Sequence, residues 1–235
     1  MLSREFLINE GKCCGNRCRL CPYEPKYMKG STNIKMKRED ILIVCALEQE
    51  TNNELDEWNV IYTGCGKVNA TYELTAELFF SKSMTGKLTN LPKLVINFGT
   101  AGSKDIPIHT LVDCNKFVQR DMDASGLGFK KGETPFDNHP QIIDYSYVKN
   151  PIGKNYVCGA GDSFVEDASN EIKTIDVFDM ESYALAKTCW KTDIDFVSYK
   201  YITDNVNEKS ADDWEKNCGK GVKEFKKVLE YYENL

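Results

Sequence analysis

The chain has no apolar run long enough to cross a bilayer. Its longest, around Ile41–Leu47 and Leu94–Phe98, are strand-length, whereas a spanning helix needs about 20 apolar residues. Its amino terminus lacks the apolar core of a secretory signal, because Arg4 and Glu5 are charged and polar residues resume soon after Ile8. A cytoplasmic or otherwise reducing location is therefore expected, with no membrane partner. Internal repeats and low-complexity tracts are absent too, which excludes a solenoid or a linker-dominated chain. What remains is ordinary globular composition: 235 residues, 41% hydrophobic and 28% charged, enough for one large core.

Charge and cysteine divide the chain. Residues 1–38 carry a net charge of +6 against −6 for the whole, which leaves −12 on the remainder. A basic segment of this kind can touch nucleic acid or an acidic protein surface, but a solvated arm is the commoner case, so no nucleic-acid partner is expected. Of ten cysteines, Cys13, Cys14, Cys18 and Cys21 cluster here, and the other six lie singly in apparent core segments, where a thiol acts as a small hydrophobe. Cys18-x-x-Cys21 has chelate spacing, and Cys13 and Cys14 can complete a four-thiolate site for structural zinc or an iron–sulfur cluster. Redox-active and purely structural thiols are the alternatives. The divide predicts a cysteine-rich segment over 1–38 and a catalytic domain over 39–235.

From residue 39 the pattern is α/β. Apolar β-branched runs predict strands at 41–45, 58–62, 94–98, 109–118, 155–158 and 195–202, and helical spacing predicts helices at 68–82, 181–190 and 211–233. Ser81–Pro92 breaks the second pattern, and turns are expected at Thr63–Lys67 and Gly99–Ser103. The alternation implies a single three-layer α/β domain with a central mixed, mostly parallel twisted sheet flanked by helices. Ligands of such sheets bind beyond the strands' carboxyl ends, where the glycine-rich turns fall.

Six motifs run in order: Cys45-Ala46-Leu47-Glu48-Gln49-Glu50, Gly64-Cys65-Gly66-Lys67-Val68-Asn69-Ala70, Asn97-Phe98-Gly99-Thr100-Ala101-Gly102, Gly161-Asp162-Ser163-Phe164, Asp179-Met180-Glu181 and Ile202-Thr203-Asp204. From about Ile41 to the carboxyl terminus, the chain resembles the purine nucleoside phosphorylase superfamily, and within it the 5′-methylthioadenosine/S-adenosylhomocysteine nucleosidase branch. The resemblance implies cleavage of the N-glycosidic bond of a small-molecule purine nucleoside, no cofactor for catalysis, and a homo-oligomer, dimer or larger.

Breaking that bond passes through an oxocarbenium-like sugar, so the base must be protonated as it leaves and the sugar's developing charge stabilised. By resemblance Asp204 protonates the purine, a general-acid role worth about 10²- to 10⁴-fold. Its bland alternative is a helix cap, yet the last helix is expected only near Ala211. Glu181, beside Met180, grips the ribose hydroxyls by resemblance, and by position alone is a first-turn glutamate favoured by the helix dipole. Glu50 matches the water-activating glutamate of the nucleosidases, where a phosphorylase holds phosphate, so its charge favours hydrolysis. A phosphorylase, and a nucleoside-binding protein acting through its cysteines, are the alternative readings.

Thr100, Ala101 and Gly102 are expected to floor the sugar site, though a glycine-rich turn also cradles phosphate. Phe164 and Val165 match purine-holding positions and are equally ordinary core. Trp214 falls where an aromatic closes over the nucleoside, or packs as a plain helix-face residue. Lys200 stands where the family usually has arginine, and a point-charge ammonium does not reproduce a bidentate fork. Arg120, in a segment expected near the sugar's 5′ side, either reads a polar 5′ substituent or pairs with Asp121 or Asp123. Asp204 in place of asparagine points to a 6-aminopurine such as adenine.

Overall fold

A computed structural model of the chain describes residues 4–19, 21–23, 26–31, 36–79 and 91–233. Eight strands, β1 (Ile41–Cys45), β2 (Val60–Tyr62), β3 (Leu94–Gly102), β4 (Leu111–Gln119), β5 (Ile142–Asp144), β6 (Tyr156–Ala160), β7 (Val177–Asp179) and β8 (Asp195–Asp204), join in one sheet. Among the described residues the α-helices are α1 (Arg4–Asn9), α2 (Lys67–Phe79), α3 (Ser182–Thr192), α4 (Ser210–Asn217) and α5 (Val222–Glu233).

The expected mixed sheet is present, and its middle closes on itself. Strand β3 runs parallel to β8, β8 antiparallel to β4, β4 parallel to β6, and β6 parallel to β7. Antiparallel pairing of Gly102 with Phe178 then returns β7 to β3 and completes a five-strand ring. Strands β1 and β2 extend parallel from β3, and β5 extends antiparallel from β4.

Alternation along β8 separates the layers. Tyr199 faces α5, where its hydroxyl meets that of Tyr232 at 2.6 Å and Phe225 stacks on Phe98 of β3 at 4.3 Å. Phe196, of opposite parity, packs edge-on against Tyr145, whose hydroxyl donates to the Ala186 carbonyl of α3. Every residue of β8 is buried, as expected for a strand covered on both faces. In α5 the buried residues Val222, Phe225, Leu229 and Tyr232 recur at helical spacing, so one stripe drives its docking.

Three expectations change. The turn at Gly99–Ser103 is strand as far as Gly102, because β3 pairs with β8 throughout and only shifts register between Ala101 and Gly102. The closing helix is two helices, broken where Gly219 adopts φ +83°. Short β5 and β7 carry too few residues to show a period. The helix expected over 68–82 is described to Phe79, and most of the 81–92 break lies outside the described residues.

Candidate active site

The carboxyl ends of β1, β3, β7 and β8 converge on a solvent-open cleft. Of the expected site residues, it brings together Glu50, Thr100, Ala101, Gly102, Phe164, Val165, Met180, Glu181, Asp204 and Trp214. Four carboxylates line it, Glu50, Asp179, Glu181 and Asp204, with no lysine, arginine or histidine among the lining residues.

Glu50 ends the helical turn Glu48–Glu50 that follows β1, and it is buried. Its Oε2 accepts the Ala46 and Leu47 N–H groups at 3.2 and 3.1 Å. Its Oε1 accepts the Thr100 N–H at 2.7 Å and the Thr100 hydroxyl at 2.9 Å. Four donors fill the capacity of a carboxylate and fix it in one orientation. The hydroxyl is the single rotatable donor of the four, so it can yield its place to a water. Trp214, from α4, donates its indole N–H to the same hydroxyl at 2.9 Å. It therefore lines the cleft and fixes Thr100, beyond plain packing. Gly99 permits the approach, since a Cβ there would lie 3.0 Å from Glu50 Oε1.

Asp204 ends β8, buried. Oδ1 accepts the Val206 N–H at 3.0 Å and Oδ2 the Thr203 hydroxyl at 3.1 Å. It caps no helix, because α4 starts at Ser210 with Lys209 at its cap position. Gly102 backs it closely, with 2.7 Å between a Cβ there and Oδ1.

Glu181 occupies the N-cap position of α3 without a capping bond and turns into the cleft. Its Oε1 accepts the Gly66 N–H at 2.7 Å, where Gly66 adopts φ +92° at the entry to α2. Burial first, and then the Asp179 charge, push its carboxyl up to about 8, against the opposing pull of Lys200. The shift favours the protonated acid, which can donate as well as accept.

Two expected contacts lie elsewhere. Lys200 does not reach the cleft: its ammonium, on β8, is buried and sits 2.8 Å from Asp179 Oδ2. Burial lowers its pKa, but Asp179 and nearby acids outweigh that and raise it, so it stays charged. Asp179 also accepts the Ser182 N–H and hydroxyl at 2.9 and 2.8 Å, which seats the start of α3 and thereby Glu181. Arg120 is likewise absent from the cleft lining, where a 5′ contact was expected. Its guanidinium is buried, donating to Glu171 at 3.0 Å, to the Gly161 carbonyl at 3.3 Å and to the Ser163 carbonyl. A desolvated guanidinium needs such partners, so it braces the Ser163–Val165 loop from behind. Lys67 braces the same loop from the other side, 2.5 Å from Asp121, whose Oδ2 accepts the Asp162 N–H.

Sequence reasoning missed Ala46, Leu47, Cys65, Ser163, Phe178, Asp179 and Thr203 as lining residues. All but Phe178 fall inside the six motifs, which were the available signal.

The cysteine cluster is no preformed four-ligand centre. Cys13 and Cys21 stand 3.7 Å apart and Cys14 and Cys18 3.4 Å apart, and among the described residues no three metal-ligating side chains surround one point. The expected zinc or iron–sulfur site is thereby revised to two thiol pairs, because adjacent side chains diverge and send Cys13 and Cys14 to different partners.

Known proteins share this architecture. A 5′-methylthioadenosine/S-adenosylhomocysteine nucleosidase of Staphylococcus haemolyticus is 28% identical over 75% of this chain and 82% of its own length. One of Haemophilus influenzae is 26% identical over 65% and 70%. Among solved structures, an S-adenosylhomocysteine nucleosidase from Streptococcus pyogenes in complex with 5-methylthiotubericidin superposes with TM-score 0.68 at 18% identity, covering 83% of this chain and 96% of that one. Futalosine hydrolase of Helicobacter pylori gives TM-score 0.67 at 21% identity, covering 83% and 97%. The model of the phosphorylase superfamily matches residues 51–232, which include all the cleft-lining carboxylates except Glu50, and the chain belongs to that superfamily.

Proposed function

We propose that this chain is a purine nucleosidase, hydrolysing the N-glycosidic bond of adenosine-type nucleosides such as 5′-methylthioadenosine or S-adenosylhomocysteine. The observation that carries the reading is a cleft lined by four carboxylates and no basic side chain. Such a lining offers a phosphate nucleophile no cationic side chain to hold it, while its acidic oxygens favour the cationic sugar of the transition state. Asp204 protonates the departing purine. Glu181, with Met180 beside it, holds the ribose hydroxyls, and Glu50 takes a proton from the water that replaces the Thr100 hydroxyl. Phe164 and Val165 contact the base, Trp214 closes over the nucleoside, and Thr100–Gly102 support the sugar.

Lys200 and Arg120 act behind this layer, one seating Glu181 through Asp179 and the other bracing the loop of Phe164. The catalytic unit spans residues 39–235. A homo-oligomer is supported by Val68, Tyr72 and Phe79, exposed along one stripe of α2.

Incubating the protein with a panel of purine nucleosides, with and without phosphate, and resolving base from nucleoside tests the reaction. Adenine release independent of phosphate is expected. Release that requires phosphate would make the protein a phosphorylase, and tight binding without release would make it a nucleoside-binding protein. Light scattering in solution checks the oligomer.

A further inference from the structure

The two thiol pairs of the N-terminal segment face different surroundings. Cys13 is pinned by its backbone, donating its N–H to the Ser31 carbonyl and accepting that of Gly30, both at 2.8 Å. Its side chain turns inward, where Cys13, Cys21 and Tyr23 form a buried cluster and the Cys13 and Cys21 sulfurs stand 3.7 Å apart. Cys14, the next residue, is exposed, and its sulfur lies 3.4 Å from that of half-buried Cys18. The inner pair is shielded from dissolved reagents, and the outer pair is open to them.

The chain between Cys14 and Cys18 keeps the outer sulfurs together. Gly15 at φ +79° and Arg17 at φ +53° both take the left-handed region, which a non-glycine residue rarely adopts, and reverse the chain. A Cβ at Gly15 would meet the Lys29 side chain at 3.0 Å, so the loop is seated against that residue. Sulfurs 3.4 Å apart touch without being bonded, and a small closing movement joins them. Their chemistry differs. The Asn16 N–H donates to Cys14 Sγ at 3.4 Å, and the Cys18 thiol donates to the same sulfur when Cys14 is ionised. These bonds, that of Asn16 first, hold the Cys14 pKa below its ordinary value against some desolvation and the charge of Glu10, while the same sulfur contact raises that of Cys18. Cys14 is thus the sulfur that ionises first. Residues 1–38 carry the chain's basic excess, with Lys12, Arg17 and Arg19 close to the pair in sequence, so an anionic reagent is drawn to it.

We propose that Cys14 and Cys18 form a dithiol site for exchange with anionic small-molecule disulfides, with Cys14 as the attacking sulfur and Cys18 as the resolving one. In the first step the Cys14 thiolate attacks one sulfur of the disulfide, a mixed disulfide forms, and one thiolate leaves. In the second, Cys18 gives up its proton and attacks Cys14 Sγ. The Cys14–Cys18 bond forms as the mixed disulfide breaks, and the second thiolate leaves. The protein pair loses two electrons and two protons, and the small disulfide gains both as two thiols. The site is separate from the cleft, whose lining includes neither cysteine.

The test uses the full chain, reduced, freed of reductant and incubated with oxidised glutathione, an anionic disulfide. After alkylation of the remaining thiols, non-reducing peptide maps should show a Cys14–Cys18 bond, with two reduced glutathiones released for each bond and Cys13 and Cys21 still thiols. The bond should form several-fold more slowly with cystamine, a cationic disulfide. In Cys18→Ser, glutathione should stay trapped on Cys14, and in Cys14→Ser, Cys18 should react at least about tenfold more slowly than that. The wild-type map keeps the test independent of how the variants fold. A Cys13–Cys21 bond formed first, glutathione left standing on Cys14 in the wild type, or no reaction would overturn the proposal. Equal reactivity of the two sulfurs would overturn their roles, and equal rates with cystamine the anionic preference.

Discussion

Asp204 and Glu50 are both buried acids, yet replacing them should have different consequences. Asp204→Asn keeps the shape and an oxygen to accept the Val206 N–H, while removing the acid that the proposed mechanism requires. Base release is expected to fall by about 10²- to 10⁴-fold with stability nearly unchanged. Glu50→Gln turns an amide NH₂ toward donors on either side, because all four partners of Glu50 donate. It should lose turnover and also about 1–3 kcal/mol of stability from the unsatisfied donors. Single-turnover assays and urea unfolding of the two variants separate these outcomes. Equal destabilisation would contradict the hydrogen-bond count at Glu50.

At the scale of elements, strand ends and loops set the distances. The end of β3 lies so close to β8 that a methyl group at residue 102 would meet Asp204 Oδ1 at 2.7 Å and Val206 at 2.9 Å. Gly102→Ala should therefore move the acid and depress kcat by about 10²-fold, a cost typical of a 1 Å misplacement, with a smaller change in KM. The Ser163–Val165 loop depends on a different anchor. Arg120→Met removes the donors to Glu171 and to the Gly161 and Ser163 carbonyls. The expected result is a several-fold rise in KM and a small change in kcat, read from steady-state kinetics on one nucleoside. A change confined to substrates with charged 5′ groups would instead place Arg120 in the cleft.

For the whole molecule, the cleft carries a cost that pH reveals. Glu181 binds its proton more tightly folded than unfolded, with a pKa of about 8 against 4.5. Its contribution is therefore fully present below about pH 4.5 and is lost as pH rises through 8, at up to about 1.4 kcal/mol per unit. Asp121 acts in the opposite sense: burial opposes it, but Lys67 and the Asp162 N–H hold its pKa below the ordinary value. That contribution is present above the unfolded value of about 3.8 and is lost at more acid pH. Urea midpoints measured from pH 5 to 9 should decline for the wild type and stay flatter for Glu181→Gln. Parallel declines would assign the slope to other groups.

Much of this was legible along the chain. Strands such as 41–45 and the first half of 94–102 announce themselves because a strand buried on both faces is a run of apolar residues, and Glu50, Glu181 and Asp204 stand at or soon after the ends of strands. Type and order of residue thus determined the α/β class and the superfamily. Partnership was decided only by the tertiary structure. Lys200 and Arg120 read as ligand-binding cations until the fold buries them against Asp179 and Glu171, partners distant in sequence. Closure of the ring at Gly102 and Phe178, and the division of four cysteines into two pairs, rest likewise on contacts between residues far apart or side chains that diverge. A local pattern carries burial and propensity, which are properties of neighbours. Which charge meets which is set by the path of the chain between them.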